Sequence, residues 1–558
     1  MFGETAAVQR ARLWPSLIIP LVIGLALKTS LELAGHVTFN ADEAILGLMA
    51  RHILQGEWPV FFYGQSYMGA LHAYLIAPFF ALLGQTVLVL RLVQMLLYAG
   101  VLITTGMLAW RISRDRVATL AAALLIAVPP VLFSTYTSAA LGNYVETLLI
   151  NNLLVLIAID LFNGRRDGPT WWLLAGLLGG VGWWGMALIL VALLPLAFVG
   201  MWVFWRHIPW GRAGLLLLGF LVGALPWLTA VATNLNGVLD DLAGARVIAL
   251  TASSSITGVA LLDRLVSLLL FNLTALVGLR PPWSADWIVP PAGILVVVLY
   301  LGVLVFSLRR VKADATESAE GTGLKMLLGI WATLLALFLL SRFGIDPTGR
   351  YLLPLYPPLA VITGVWLAHV RLQVASLHRN LPGSTVSILL AALVGYNLVG
   401  NVQAALADPP GLTTQFDPIT HIPHDHDQQL ISFLDGIGVE RGYSNYWVAY
   451  RFAFLTHERI LLSPQLPYKL NMSYTYRDDR YPLYTELVGQ ADRVVYITSN
   501  HPQLDAALSE RLEQHAVTYQ VREIGPYTVF YNLSRPITPR EIGPFGAMTQ
   551  EYPEGNGE

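Results

Sequence analysis

An all-α membrane domain that crosses a bilayer about eleven times, followed by a small α/β extracytoplasmic domain, is what this sequence predicts. Three observations carry the prediction. Hydrophobic residues fill 55% of the 558 positions and charged residues only 13%, where a soluble protein carries about 25% charged. Apolar runs of spanning length recur from residue 14 to residue 405. Arginine gathers in alternate connecting segments, the asymmetry that orients membrane proteins.

The first run, Trp14–Leu33, has no small-residue cleavage site behind it and is expected to remain as a retained span. Further spans are expected near 88–110, 117–136, 143–162, 171–186, 187–204, 213–233, 288–308, 325–341, 351–369 and 384–405. Most reach the ~17–25 residues that cross about 30 Å of hydrocarbon. Only Gly182–Trp183–Trp184–Gly185 separates the pair at 171–204, so one long kinked or re-entrant helix competes there. Arginine decides between them. With eleven spans and a cytoplasmic N-terminus, Arg10, Arg12, Arg111, Arg114, Arg116, Arg165, Arg166, Arg206, Arg212, Arg309, Arg310, Lys312, Arg371 and Arg379 all fall inside. The opposite side keeps Arg51, Arg246, Arg264, Arg280, Arg342 and Arg350, spread over much longer loops.

The first outer loop, 35–87, is too apolar to be solvated. Ile45, Leu48, Met49 and Ile53 recur at helical spacing, and a second apolar stretch covers 67–83. Both are expected as helices lying in the membrane interface, as is the segment 257–279 of the second long loop. After about residue 407 the character changes. Asp408–Pro409–Pro410–Gly411 is a stop signal, and charge density rises behind it. Helical runs at 426–436 and 502–514 alternate with strand-like runs at 458–463, 493–498, 516–522 and 526–532. The chain therefore divides into a membrane domain, 1–407, and a soluble α/β domain, 408–558.

Composition also excludes functions. A net charge of −2 gives no polybasic surface for nucleic acid, and the absence of cysteine removes disulfides, thiolate metal sites and thiol catalysis together. There is no Walker loop and no G-x-G-x-x-G between strand and helix. Any energy must come from the substrate itself.

Several residues could carry chemistry. Asp42 and Glu43 are adjacent acids just outside the first span, where charge is expensive and usually marks function. A carboxylate there could act as general base on a hydroxyl arriving from water; alternatively, Asn40 and Glu43 form a capping box. Glu146, where the fourth span meets the same face, could complete a carboxylate pair or form a box with Asn143. Arg350–Tyr351 opens the tenth span, and arginine is suited to two-pronged contact with phosphate, although it can equally snorkel. Arg280, before Pro281–Pro282, is a weaker version of that idea, and Arg91 weaker again. Tyr63, Gln65, Tyr67 and His72 decorate the first loop as substrate contacts or interface anchors. His421, His424, Asp425, His426 and Asp427 have metal-like types but lie in a linker, and read as a solvated loop.

The segments Phe39–Asn40–Ala41–Asp42–Glu43–Ala44, Gly56 to Pro59 and Tyr63–Gly64–Gln65–Ser66–Tyr67–Met68–Gly69 resemble those of bacterial GT-C glycosyltransferases. These are membrane transferases related to protein O-mannosyltransferases and lipid A aminoarabinose transferases. The likeness continues through Arg91, Gly142 to Thr147, and Arg350–Tyr351–Leu352–Leu353–Pro354–Leu355–Tyr356, covering most of the membrane part. The resemblance implies transfer of a sugar, with inversion, from a polyprenyl-phosphate donor to a lipid, glycan or protein acceptor on the outer face of the cell membrane. Asp42 then matches the first-loop acid with Glu43 beside it, Glu146 the second acid, and Arg350 a contact to the lipid phosphate. No cofactor is implied with certainty; a divalent metal stays open. One departure stands out: many relatives carry lysine followed by two prolines where this chain reads Gln65–Ser66–Tyr67. The competing class is a transporter or flippase of lipid-linked sugars. It would need charges or broken helices near mid-membrane, where this chain instead places acids and arginines along one face.

Topology is directly testable. A reporter fused after Glu558 is expected outside and one inserted within 312–323 inside; both on one side would end the eleven-span arrangement.

Overall fold

The computed structural model describes residues 6–165, 168–206, 209–236, 258–313, 318–341, 346–377, 382–407, 411–416, 419–543 and 545. Arg166, Arg246, Arg342, Arg379 and the stop signal at 408–410 lie outside the described residues.

All eleven expected spans are helical. Among the described residues, eight helices are long and apolar enough to cross a bilayer, and two bent pairs bring the number to ten. The segment left outside that set is Pro169–Gly185, whose 17 residues include five glycines and four tryptophans. The glycines have a packing reason. A Cβ on Gly176 or Gly180 would stand 2.0 Å or 2.1 Å from backbone oxygens of helix Trp210–Gly223, and one on Gly219 or Gly223 would meet Pro169–Gly185 as closely. Small residues four apart let the two backbones touch, as in lipid-embedded helix pairs. Met186 is extended, with Ala187–Ile189 and then Leu190–Phe204 following, so the region 171–204 is two helices rather than one.

The first bent pair, Arg116–Ala127 and Val131–Ser138, turns by 71° at Val128–Pro129–Pro130. Proline supplies no N–H and breaks the ladder there. The freed carbonyls are covered from helix Pro382–Ala405: Asn397 donates to Val128 O at 3.0 Å and Asn401 to Pro129 O at 2.7 Å. The bend thereby ends in Ala139–Asn143, a non-helical stretch that leads into helix Tyr144–Phe162.

The first loop holds helices Ala41–Leu54 and Leu71–Leu83 as expected, with an unforeseen hairpin between them: β1, Phe61–Phe62, and β2, Gln65–Gly69. Placing Ala41–Leu54 on a membrane interface is corrected by its burial. It packs between Leu71–Leu83 and helix Tyr446–Leu455 of the C-terminal domain, and Ile45, Leu48 and Met49 are 2% exposed or less. Its apolar residues meet protein instead of lipid; the Phe454 ring leaves no room for a Cβ at Gly47.

The C-terminal domain carries a five-stranded sheet in the order β4-β3-β5-β7-β6. Its strands are β3 Arg441–Tyr443, β4 Leu461–Ser463, β5 Val495–Ser499, β6 Gln520–Ile524 and β7 Tyr527–Tyr531. β3 runs parallel to β4 and β5, and the β6–β7 hairpin adds antiparallel to β5. Four of these strands fall on the expected runs; three-residue β3 is too short to show periodicity. The domain is bolted to the first loop. Arg51 pairs with Glu458 at 3.3 Å and donates to Phe454 O, while His52 meets Glu458 at 2.8 Å. Although burial opposes it, the hydrogen bonds from His52 and Tyr484 and the charge of Arg51 hold the Glu458 carboxyl down at about 2. The histidine–aspartate linker is exposed at 423–425 but anchored at two points: His424 Nε2 accepts from Phe39 N–H at 3.0 Å, and Asp427 pairs with buried Arg451.

Glu43 is fully buried, accepts from Arg91 Nη2 at 2.9 Å and accepts the Ala140 N–H at 3.0 Å. Removing one member of a buried pair typically costs 3–5 kcal/mol, because the other charge is left unbalanced. Glu43→Gln is therefore expected to lower the melting temperature of detergent-purified protein sharply. A variant that melts like the wild type would show that the pair does not hold the fold.

Candidate active site

A cavity of about 620 Å³ lies where the first loop, the ends of several spans and the C-terminal domain meet. From the first loop come Asp42, Gln65 and Tyr67; from the spans and their ends come Tyr136, Tyr144, Arg350 and Tyr351. Leu188, Leu190, Val191, Leu334, Leu337 and Phe338 form an apolar wall on membrane helices. The C-terminal domain supplies Tyr446, Trp447, Tyr468, Asp478 and Arg480.

Asp42 reaches this cavity because of how its helix begins. Asn40 caps Ala41–Leu54, its side chain accepting from Glu43 N–H at 3.2 Å, which fixes the first turn. The Glu43 side chain does not reach back to complete a capping box; it turns inward to Arg91. Asp42 Oδ1 accepts a hydrogen bond from Tyr446 at 2.5 Å, using one of its two carboxylate oxygens. Burial pushes the Asp42 carboxyl above its ordinary value, while the Tyr446 hydrogen bond and the charges of Arg480 and Arg350 pull the other way. Asp478 is pushed up to about 7 by burial, against the charges of Arg480 and Lys469.

Arg350 is placed by a turn. Asp346 accepts from the Thr348 N–H at 2.9 Å and holds Arg350 Nε at 2.8 Å, and Gly349 sits at φ +85°, a conformation glycine adopts without strain. Arg350 Nη2 donates to the Tyr351 hydroxyl at 3.1 Å.

The other expected site residues are elsewhere. Glu43 is committed to Arg91 and Ala140, and Arg91 also reaches Glu32 at 3.5 Å. Glu146 is 2% exposed and does not line the cavity; it faces fully buried His72 at 3.0 Å. Asn143 does not cap the helix of Glu146, because its side chain is spent on Gly69 O, Gly185 O and the His72 N–H. Arg280 is 2% exposed and donates to the carbonyls of Phe271, Ser284 and Pro347. It stabilises the turn that carries Arg350 and does not face the cavity. Tyr63 donates to Glu57 at 2.9 Å and stacks on Tyr481, away from the cavity. Among the described residues, no group of three or more histidines, aspartates or glutamates could hold a metal ion.

Sequence reasoning missed Tyr446, Asp478 and Arg480. The only signal was the run Tyr474–Thr475–Tyr476–Arg477–Asp478–Asp479–Arg480–Tyr481, dense in tyrosine and paired charge for a solvated loop.

No family model and no curated protein sequence matches the chain. Solved structures do. ArnT from Cupriavidus metallidurans bound to undecaprenyl phosphate superposes with a TM-score of 0.54 at 13% identity, covering 92% of this chain and 98% of that one. ArnT from the same organism in the apo state gives 0.56 at 15% identity, covering 91% and 97%. The apo oligosaccharyltransferase of Archaeoglobus fulgidus gives 0.51 at 13% identity, covering 90% and 71%. The chain has their GT-C fold: a multi-pass helical membrane domain followed by a C-terminal domain.

Proposed function

We propose that the chain is a membrane glycosyltransferase that moves a sugar from a polyprenyl-phosphate donor to an acceptor hydroxyl on the outer face of the membrane, with inversion. The observation that carries this reading is that Asp42 and Arg350 line one cavity that also has an apolar wall contributed by the spans. A lipid-linked sugar phosphate needs those three things: a base for the acceptor, a cation for the departing phosphate, and hydrocarbon contact for the tail. The shared fold supports it, because one of the similar structures holds undecaprenyl phosphate.

In this reading the acceptor oxygen attacks the anomeric carbon from the side opposite the phosphate. Asp42 takes the hydroxyl proton as the new glycosidic bond forms. The bond between the anomeric carbon and the phosphate oxygen breaks, and its electron pair leaves on polyprenyl phosphate, whose added charge Arg350 stabilises. Attack from the opposite side inverts the anomeric centre. Tyr446 orients the Asp42 carboxylate, and Tyr67, Tyr136 and Tyr144 offer ring faces to the sugar. Glu43, Glu146, His72 and Arg280 act by holding this geometry instead of touching substrate.

Asp42→Asn keeps size and removes the proton acceptor. Transfer is expected to fall by about 10²- to 10⁴-fold with donor binding intact, measured as polyprenyl phosphate released only when acceptor is present. A base works only when ionised, and burial raises the Asp42 carboxyl. Wild-type activity should therefore fall off on the acid side at a pH above the ordinary carboxylate range of about 4. An active Asp42→Asn enzyme would refute the base. Passage of intact lipid-linked sugar across liposomes, with no bond cleaved, would favour a carrier.

A further inference from the structure

We propose that Arg480, a residue of the C-terminal domain, is a second phosphate-binding cation of the donor site. The soluble domain then completes the cavity instead of merely covering it. The inference rests on the donor reading above and adds to it a residue from another domain.

Arg480 lines the same cavity as Asp42 and Arg350. Its guanidinium is held in place by neutral groups. Nη1 donates to Gly64 O at 3.2 Å, and Gln65, with its amide oxygen turned inward, accepts from both terminal nitrogens at 2.8 Å. The guanidinium also lies 5.6 Å from the ring centre of Tyr446, the residue that holds Asp42. The turn between β1 and β2 is shaped around it: Gly64 has φ +66°, and a Cβ there would stand 2.9 Å from Arg480 Cδ.

What Arg480 lacks is a direct ion pair. Among the described residues no carboxylate lies within ion-pair distance of it, and its buried Nε has no hydrogen-bond partner. Three other arginines of this region have acid partners: Arg350 has Asp346, Arg91 has Glu43 and Glu32, and Arg51 has Glu458. Taking a cation from water without a direct ion-pair partner is expensive, and Asp42 acts on it only through space. The two nearest acids in sequence, Asp479 and Asp478, do little to offset it, because burial favours the neutral form of both. A cavity lined by a guanidinium without an ion pair, a second arginine and an apolar membrane wall fits an anionic head on a hydrocarbon tail. A phosphate monoester on a polyprenyl chain has that chemistry, and guanidinium grips phosphate with two prongs.

The test measures binding of undecaprenyl phosphate and of uncharged undecaprenol to the purified full chain in lipid nanodiscs, with inorganic phosphate as competitor. Arg480→Ala should weaken undecaprenyl phosphate by about tenfold or more, leave undecaprenol unchanged, and be partly rescued by Arg480→Lys. Lysine keeps the charge but loses the grip on Gln65, so it also guards against a variant that simply fails to fold. A merely structural Arg480 would change melting temperature and both ligands alike, which overturns the proposal. So does unchanged affinity in Arg480→Ala; if Arg350→Ala then still loses binding, the donor reading survives alone. A folded Arg480→Lys no better than alanine excludes a role for the charge. Wild-type protein that binds both lipids equally overturns the inference and the donor reading together, and competition by inorganic phosphate in that case assigns the cavity to the free ion.

Discussion

Two acids sit side by side at the start of one helix, and the burial of the second decides what the first can do. Successive residues of an α-helix point about 100° apart. Glu43 is locked inward by Arg91 and by the Ala140 N–H, so Asp42 must face another direction, which is the cavity. The same pair ties three separate pieces together: the first-loop helix, the span Val87–Ser113, and the stretch after the 71° bend. Other buried polar contacts converge on that stretch. Lys28 donates to Thr137 and Ser138 at 2.8 Å, and Gln94 to Ala139 O at 2.9 Å. In a low-dielectric interior such contacts are costly to leave half-made. These contacts hold the segment from Val131 to Asn143 in place, and it delivers Tyr136 and Leu141 to the cavity wall.

The second structural fact is that the cavity is shared. A membrane domain on its own would present Asp42 and Arg350 to open water. Helix Tyr446–Leu455 and the run through Arg480 complete the lining beside Asp42, and the interface that holds them is itself ionic, built on Glu458 with Arg51 and His52. Enclosure matters to the proposed chemistry, since charges act more strongly where water is excluded. It also explains why Asp42 is pushed toward a stronger base than a surface aspartate.

How much of this was legible differs by length scale. The spans were readable because bilayer thickness imposes a period that composition cannot hide. Asp42 and Arg350 stood out because charge beside lipid is expensive. On charge alone Asp42 and Glu43 look alike; only the family resemblance favours Asp42, and Glu43 goes to a partner 48 positions away. Glu146 and His72 also read as site residues, yet they face each other at 3.0 Å and neither lines the cavity. Gln65 was read as the loss of a cation. The structure puts a guanidinium from residue 480 against it, where a lysine at 65 would have been repelled. Nothing local to either segment records that 416-residue separation between Gly64 and Arg480. The apolar helix Ala41–Leu54 was assigned to lipid because sequence shows that a face is greasy, not what covers it.

The proposed chemistry requires one place for the donor phosphate. The most direct measurement is an experimental structure of the full chain with undecaprenyl phosphate bound in nanodiscs. The account places the phosphate in the cavity of Asp42 against the Arg350 guanidinium, with the tail along Leu334, Leu337 and Phe338. A phosphate found instead beside Arg111 and Arg371, or a tail with no contact to that wall, would contradict it.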